Sequence, residues 1–126
     1  MKNIKNVIVV DDSKTVLKTM AKLLSSYDFK TYFYDDPSKA LAEMKDITPD
    51  LILLDYFMPA MSGSQFMIKA SEELVHSNWQ VFLVSSNKFS EEERASMLTL
   101  GITHVFEKPL NKKEFDEAIQ NFNCFS

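Results

Sequence analysis

Glycine, cysteine and arginine are scarce in this chain. Among 126 residues there are two glycines, Gly63 and Gly101, and neither belongs to a glycine-rich run. Loops that cradle phosphate in backbone amides need such runs, which argues against that kind of nucleotide or cofactor site. Cys124 is the single cysteine, so an internal disulfide and a cysteine-based metal site are both excluded. It reads as a small apolar residue on a terminal helix. Arg94 is the single arginine and the formal net charge is −4. No basic stripe exists to track a nucleic-acid backbone, so direct nucleic-acid binding is not expected. No apolar run approaches the roughly 20 residues of a membrane span. The first residues, Met1 to Asn6, lead straight into a strand-like run and lack the apolar stretch of a secretory signal. The expectation is a cytoplasmic protein without membrane insertion. His76 and His104 are isolated, which disfavours a histidine-based metal site.

What is present is ordinary for a globular domain: 45% hydrophobic and 25% charged residues. The length suits one domain, 1–126, around one core. Strand and helix signals alternate along the whole chain, as in an α/β fold with a parallel sheet. Strands are predicted at about Lys5–Val10, Lys30–Tyr34, Leu51–Leu54, Gln80–Val84 and Thr103–Glu107. The first helix follows Ser13, with Val16, Met20, Leu23 and Leu24 at helical spacing. Asp36 and Pro37 open the second as N-cap and first helical residue. Ala40, Leu41 and Met44 form its inner face. The third runs from about Ser64 to Leu74, with Phe66, Met67, Ala70 and Leu74 as core candidates. Ser90 to Glu93 has the form of a capping box, and Gly101 marks the end of the helix it opens. Asn111 caps the last helix, which turns Phe115, Ala118, Ile119 and Phe122 inward.

Right-handed crossovers between parallel strands bring all the strand ends to one side of the sheet. Ligands of open α/β sheets gather there. The residues delivered to that edge are Asp11 and Asp12, Asp55, Ser85 and Lys108. Asp11 and Asp12 also suit a turn and a helix cap, and Ser85 suits a turn. Clustered carboxylates disfavour one another's ionisation, and a hard divalent cation relieves this with oxygen ligands. A phosphoryl group in this crevice would meet the cation on one side and the Lys108 ammonium on the other. A carboxylate can also be the nucleophile in phosphoryl transfer. Asp55 is the best candidate, because it follows the most central apolar strand and is no part of a cap.

These residues resemble the receiver domain of two-component response regulators. The matching features are Asp11-Asp12, then Asp55-Tyr56-Phe57-Met58-Pro59 with Gly63 downstream, then Ser85-Ser86, then Lys108-Pro109. The resemblance covers the whole chain and implies a flavodoxin-like doubly wound (βα)5 fold with strand order 2-1-3-4-5. It implies that Asp55 is the phosphoacceptor, supplied by a phosphohistidine on a sensor histidine kinase or phosphotransfer protein. It implies Asp12 as the direct ligand of Mg2+ (or Mn2+), Asp11 acting mainly through water, and Asp55 and the Phe57 backbone carbonyl completing the set. Ser85 resembles the switch hydroxyl, Lys108 its ion-pair partner at the phosphoryl group, and Pro109 the cis-proline. The implied protein is no enzyme with turnover, although it assists its own phosphorylation and dephosphorylation. Its output is the binding of an unidentified protein, as a monomer or weak dimer.

Three positions depart from the family pattern. Val105 stands where many members carry an inward-turning Tyr or Phe. Phe106 is one residue later, which in a strand means the opposite face. Ser62 replaces a frequent Asp in the third loop. Phe57 is bulky beside the site, which motivates the hypothesis that it obstructs attacking water. A phosphorylation-independent interaction module is the alternative reading, favoured by Val105 and disfavoured by the complete acidic set. Phe89, Met97 and Leu100 suit either core or a partner surface. An electron carrier or an Asp-nucleophile phosphatase fits less well. The first lacks its glycine-rich loop, and the second its acid two residues after the nucleophile, where Phe57 stands.

Overall fold

Two unbroken apolar strands form the centre of the molecule. β1 (Asn6–Val10) and β3 (Leu51–Asp55) bury every residue except Asn6. The computed structural model describes residues 4–73, 79–86 and 88–125, with side chains described as far as residue 121. Leu74, His76 and the side chains of Phe122 and Cys124 lie outside that description. β2 (Lys30–Tyr34), β4 (Gln80–Ser85) and β5 (Ile102–Glu107) complete a five-stranded sheet. All its pairings are parallel and its order is β2-β1-β3-β4-β5.

The strand pleat sorts the core into two layers. Val7, Val9, Leu51, Leu53, Phe82 and Val84 face α1 (Lys14–Leu24) and α5 (Lys112–Phe125), meeting Met20, Leu24, Phe115, Ala118 and Ile119. Ile8, Val10, Ile52, Leu54, Val81 and Leu83 face α2 (Pro37–Ile47), α3 (Gly63–Glu73) and α4 (Glu91–Thr99), meeting Ala40, Met44, Phe66, Met67 and Met97. Among the described residues, no helix is long and apolar enough to cross a membrane.

Helix ends follow the sequence signals. Asp36 accepts the amide of Ser38 at 2.9 Å. Ser90 and Glu93 exchange bonds at 3.1 and 2.9 Å, forming the expected capping box. The Asn111 side chain accepts the amide of Glu114 at 3.1 Å. Gly101 adopts φ +97°, the left-handed conformation expected after α4. Thr48 reaches the same region at φ 48° without that freedom.

Boundaries differ from expectation by one residue at several points. β3 and β4 extend into Asp55 and Ser85, and α3 starts at Gly63. β5 starts at Ile102, and between Val81 and Phe82 its register slips by one. Thr103 is the extra residue, and its hydroxyl donates to the Val81 carbonyl at 3.0 Å. The bulge leaves Val105 opposite Leu83 and Phe106 opposite Val84.

Candidate functional site

The carboxyl ends of β1, β3 and β5 deliver one cluster of charge. Asp11, Asp12 and Asp55 each place a carboxylate oxygen within 4.8 Å of the others. Asp11 is fully buried, Asp55 nearly so, and Asp12 is exposed. The Lys108 ammonium lies 2.8 Å from Asp11 Oδ2 and 3.4 Å from Asp55 Oδ1. Ser85 is buried at the end of β4, and its carbonyl accepts the Lys108 amide at 2.9 Å. The Lys108–Pro109 bond is cis, as expected. All five strand-end residues singled out from the sequence therefore meet at one edge.

Asp11 is engaged on both carboxylate oxygens. Its Oδ1 accepts the amide of Ser13 at 2.9 Å, shaping the turn into α1, and its Oδ2 faces the Lys108 ammonium. Ser13 is the N-cap, accepting the amide of Val16 at 3.3 Å.

One ammonium against three carboxylates leaves the cluster negative, and the protonation equilibria record it. Burial and then the Asp11 charge push the Asp55 carboxyl up to about 6, against the opposing pull of Lys108. Burial pulls the Lys108 ammonium down, but its bond to Asp11 and the charges of Asp11 and Asp55 outweigh that and raise it.

The donor set fits a hard divalent cation. It is all oxygen, it is short of positive charge, and at Asp12 it opens to solvent from which waters can complete a shell.

The loop after β3 is braced. The Tyr56 carbonyl accepts the amide of Gly63 at 2.8 Å, and Phe57 bridges Ser62. A Cβ at Gly63 would stand 2.9 Å from the Tyr56 ring and 3.1 Å from its Cα, which explains glycine there. Ser62 accepts the amide of Gln65 at 3.2 Å, and Gln65 Oε1 accepts the amide of Ser62 at 3.0 Å. This second capping box was legible as Ser-x-x-Gln and was missed. It also explains why serine suffices in place of aspartate, since both cap well.

A family model for the response regulator receiver domain matches residues 7–120. The chain belongs to the receiver domain family.

Its relatives place such domains in varied company. This receiver domain is 30% identical over 115 residues to hybrid signal transduction histidine kinase D of Dictyostelium discoideum, covering 91% of this chain and 7% of that protein. It is 27% identical over 116 residues to the phosphate regulon transcriptional regulatory protein PhoB of Escherichia coli, covering 92% of this chain and 50% of that protein. The chain thus spans half or less of the length of these relatives. Among solved structures, the CheX–CheY–BeF3–Mg2+ complex from Borrelia burgdorferi contains a similar fold. The TM-score is 0.83 at 24% identity, covering 94% of this chain and 88% of that one.

The departure at β5 is real in space. Val105 packs toward the layer of α2, α3 and α4, whereas Phe106 is buried against α1 and α5. Phe106 stacks near His104 and tilts against Phe82, on the face away from the α4 layer. Of the three residues left open between core and surface, Met97 is buried, and Phe89 and Leu100 are half-buried.

Proposed function

We propose that this receiver domain is a phosphorylation-controlled switch with Asp55 as phosphoacceptor. The observation that carries the reading is the Lys108 ammonium 3.4 Å from the buried Asp55, within an acidic cluster that opens to solvent at Asp12. The donor is a phosphohistidine on a sensor histidine kinase or a phosphotransfer protein. An Asp55 carboxylate oxygen attacks phosphorus and the phosphorus–nitrogen bond breaks. The electron pair stays on the imidazole nitrogen, and the product is an aspartyl phosphate.

Asp11, Asp12, Asp55 and the Phe57 carbonyl would hold Mg2+, or Mn2+ in its place. When bound, the ion supplies neutralisation of phosphoryl and carboxylate charge. Lys108, just past the carboxyl end of β5 on the same edge, supplies the remaining positive charge, and the Ser85 hydroxyl donates to a phosphoryl oxygen. The Borrelia complex, which has this fold, contains BeF3 and Mg2+. The added charge, about −1.5 to −2 for phosphoester side chains, draws Ser85 and Lys108 toward Asp55 and shifts the β4–α4 region. Phe57, two residues beyond Asp55, obstructs water and prolongs the phosphorylated state.

Borohydride trapping tests the assignment. Reduction of an aspartyl phosphate gives homoserine, which should appear at position 55 in peptide mass spectra after treatment with acetyl phosphate. Homoserine at position 11 or 12 instead would overturn it. The phosphorylation-independent module remains the second reading, because Val105 supplies no ring at the inward-facing position of β5.

A further inference from the structure

Phe89 lies four residues beyond Ser85 and directly before Ser90, the N-cap of α4. An apolar residue at that place ordinarily folds back onto an apolar residue at the fourth position of its own helix, fixing the angle at which chain meets helix. The fourth position here is Arg94, which is exposed. The Phe89 ring crosses instead to the loop that begins at Asp55. It stacks on Phe57 with centroids 6.1 Å apart and planes within 7°, and meets Tyr56 at 5.3 Å and 68°. Tyr56 and Phe57 themselves meet edge to face at 4.8 Å. These are the separations and orientations that aromatic pairs favour.

The platform under Phe89 is well held. Besides the Gly63 and Ser62 contacts, the Tyr56 hydroxyl shares a 3.0 Å hydrogen bond with Ser64 Oγ. α4 has little other anchorage, since its only buried residue is Met97. Its first turn is Glu91, Glu92 and Glu93, all exposed. The approach of α4 to the domain is therefore set at two places, by Met97 within the helix and by Phe89, just before it, packed on the loop carrying Asp55.

We propose that Phe89 is a positioning residue that ties α4 to the loop carrying Asp55, so that a phosphoryl group on Asp55 reaches α4 through the rings of Tyr56, Phe57 and Phe89. The inference rests on the phosphoacceptor reading of Asp55. It gives the chain an aromatic route to α4 that does not pass through β5, where Val105 stands.

Amide hydrogen exchange of residues 91–99 tests it, with and without beryllofluoride and Mg2+. The proteins are the wild type, Phe89→Ala, Phe89→Leu, which keeps apolar bulk without a ring, and Phe89→Tyr, which keeps the ring. Calorimetry measures beryllofluoride binding separately, and thermal denaturation reports folding. The wild type should bind and change its α4 protection. The Ala and Leu variants should still bind, exchange α4 amides roughly 3–10-fold faster when free, the scale of one aromatic contact, and lose the response. Phe89→Tyr should restore it. A wild-type α4 indifferent to binding, or a full response in the Leu variant, would overturn this inference alone. A wild type that binds no beryllofluoride would overturn the phosphoacceptor reading and this inference together.

Discussion

Asp55 illustrates how a buried carboxylate in an acidic cluster opposes the stability of its own fold when ionised. Its folded pKa of about 6 lies above the ordinary 3.8. The folded state therefore holds the proton more tightly than the unfolded chain does. The stability it contributes is fully present below about pH 4 and is lost as pH rises through about 6. In EDTA at pH 7.5, Asp55→Asn should melt several degrees above the wild type. The gap should shrink toward pH 4.5 and narrow when Mg2+ saturates the wild type. An equal gap at both pH values would contradict the assignment of the strain to this carboxyl. Lys108 acts in the opposite sense. Lys108→Met leaves Asp11 and Asp55 buried without a cation, which should cost about 3 kcal/mol in urea denaturation without metal. The same change should raise the Asp55 pKa further, measured by NMR titration of the carboxyl carbon.

At the scale of elements, most boundaries were written in local chemistry. Ser13, Asp36, Ser90 and Asn111 each accept the amide their type and position imply. The Ser62–Gln65 box has the local signature Ser-x-x-Gln, at a place where the receiver pattern more often carries Asp. The rings of Tyr56, Phe57 and Phe89 could not be joined from sequence, since their contact depends on two loops meeting across β3 and β4. The bulge at Thr103 was illegible for a related reason: register is a property of a strand pair, not of one strand. One element end is locally strained. Thr48 caps α2 in the left-handed region, which a β-branched residue adopts at a cost. Asn tolerates that region, so Thr48→Asn should raise stability by about 0.5–1 kcal/mol, read from the urea midpoint. A loss of stability would mean that the Thr48 hydroxyl, 2.7 Å from the Ile47 carbonyl, outweighs the strain.

The whole molecule follows from the pattern of apolar runs more directly than from any single residue. Five short strands separated by helices leave a doubly wound parallel sheet as the natural arrangement, and that sheet carries its chemistry at one edge. Asp11, Asp12, Asp55, Ser85 and Lys108 are spread over 98 positions of sequence. They become neighbours only because β1, β3, β4 and β5 adjoin in that order. What the sequence could not convey was the division of labour within the cluster. Asp11 and Asp55 are buried against Lys108, while Asp12 faces solvent. That asymmetry gives the cluster a closed side where charge is paired and a side open to solvent. The most direct measurement is intact mass after incubation with acetyl phosphate, with and without Mg2+, for the wild type and Asp55→Asn. One phosphoryl adduct that requires Mg2+ and is absent from the variant is the predicted result. No adduct on the wild type, or an equal adduct on the variant, would contradict Asp55 as the phosphoacceptor.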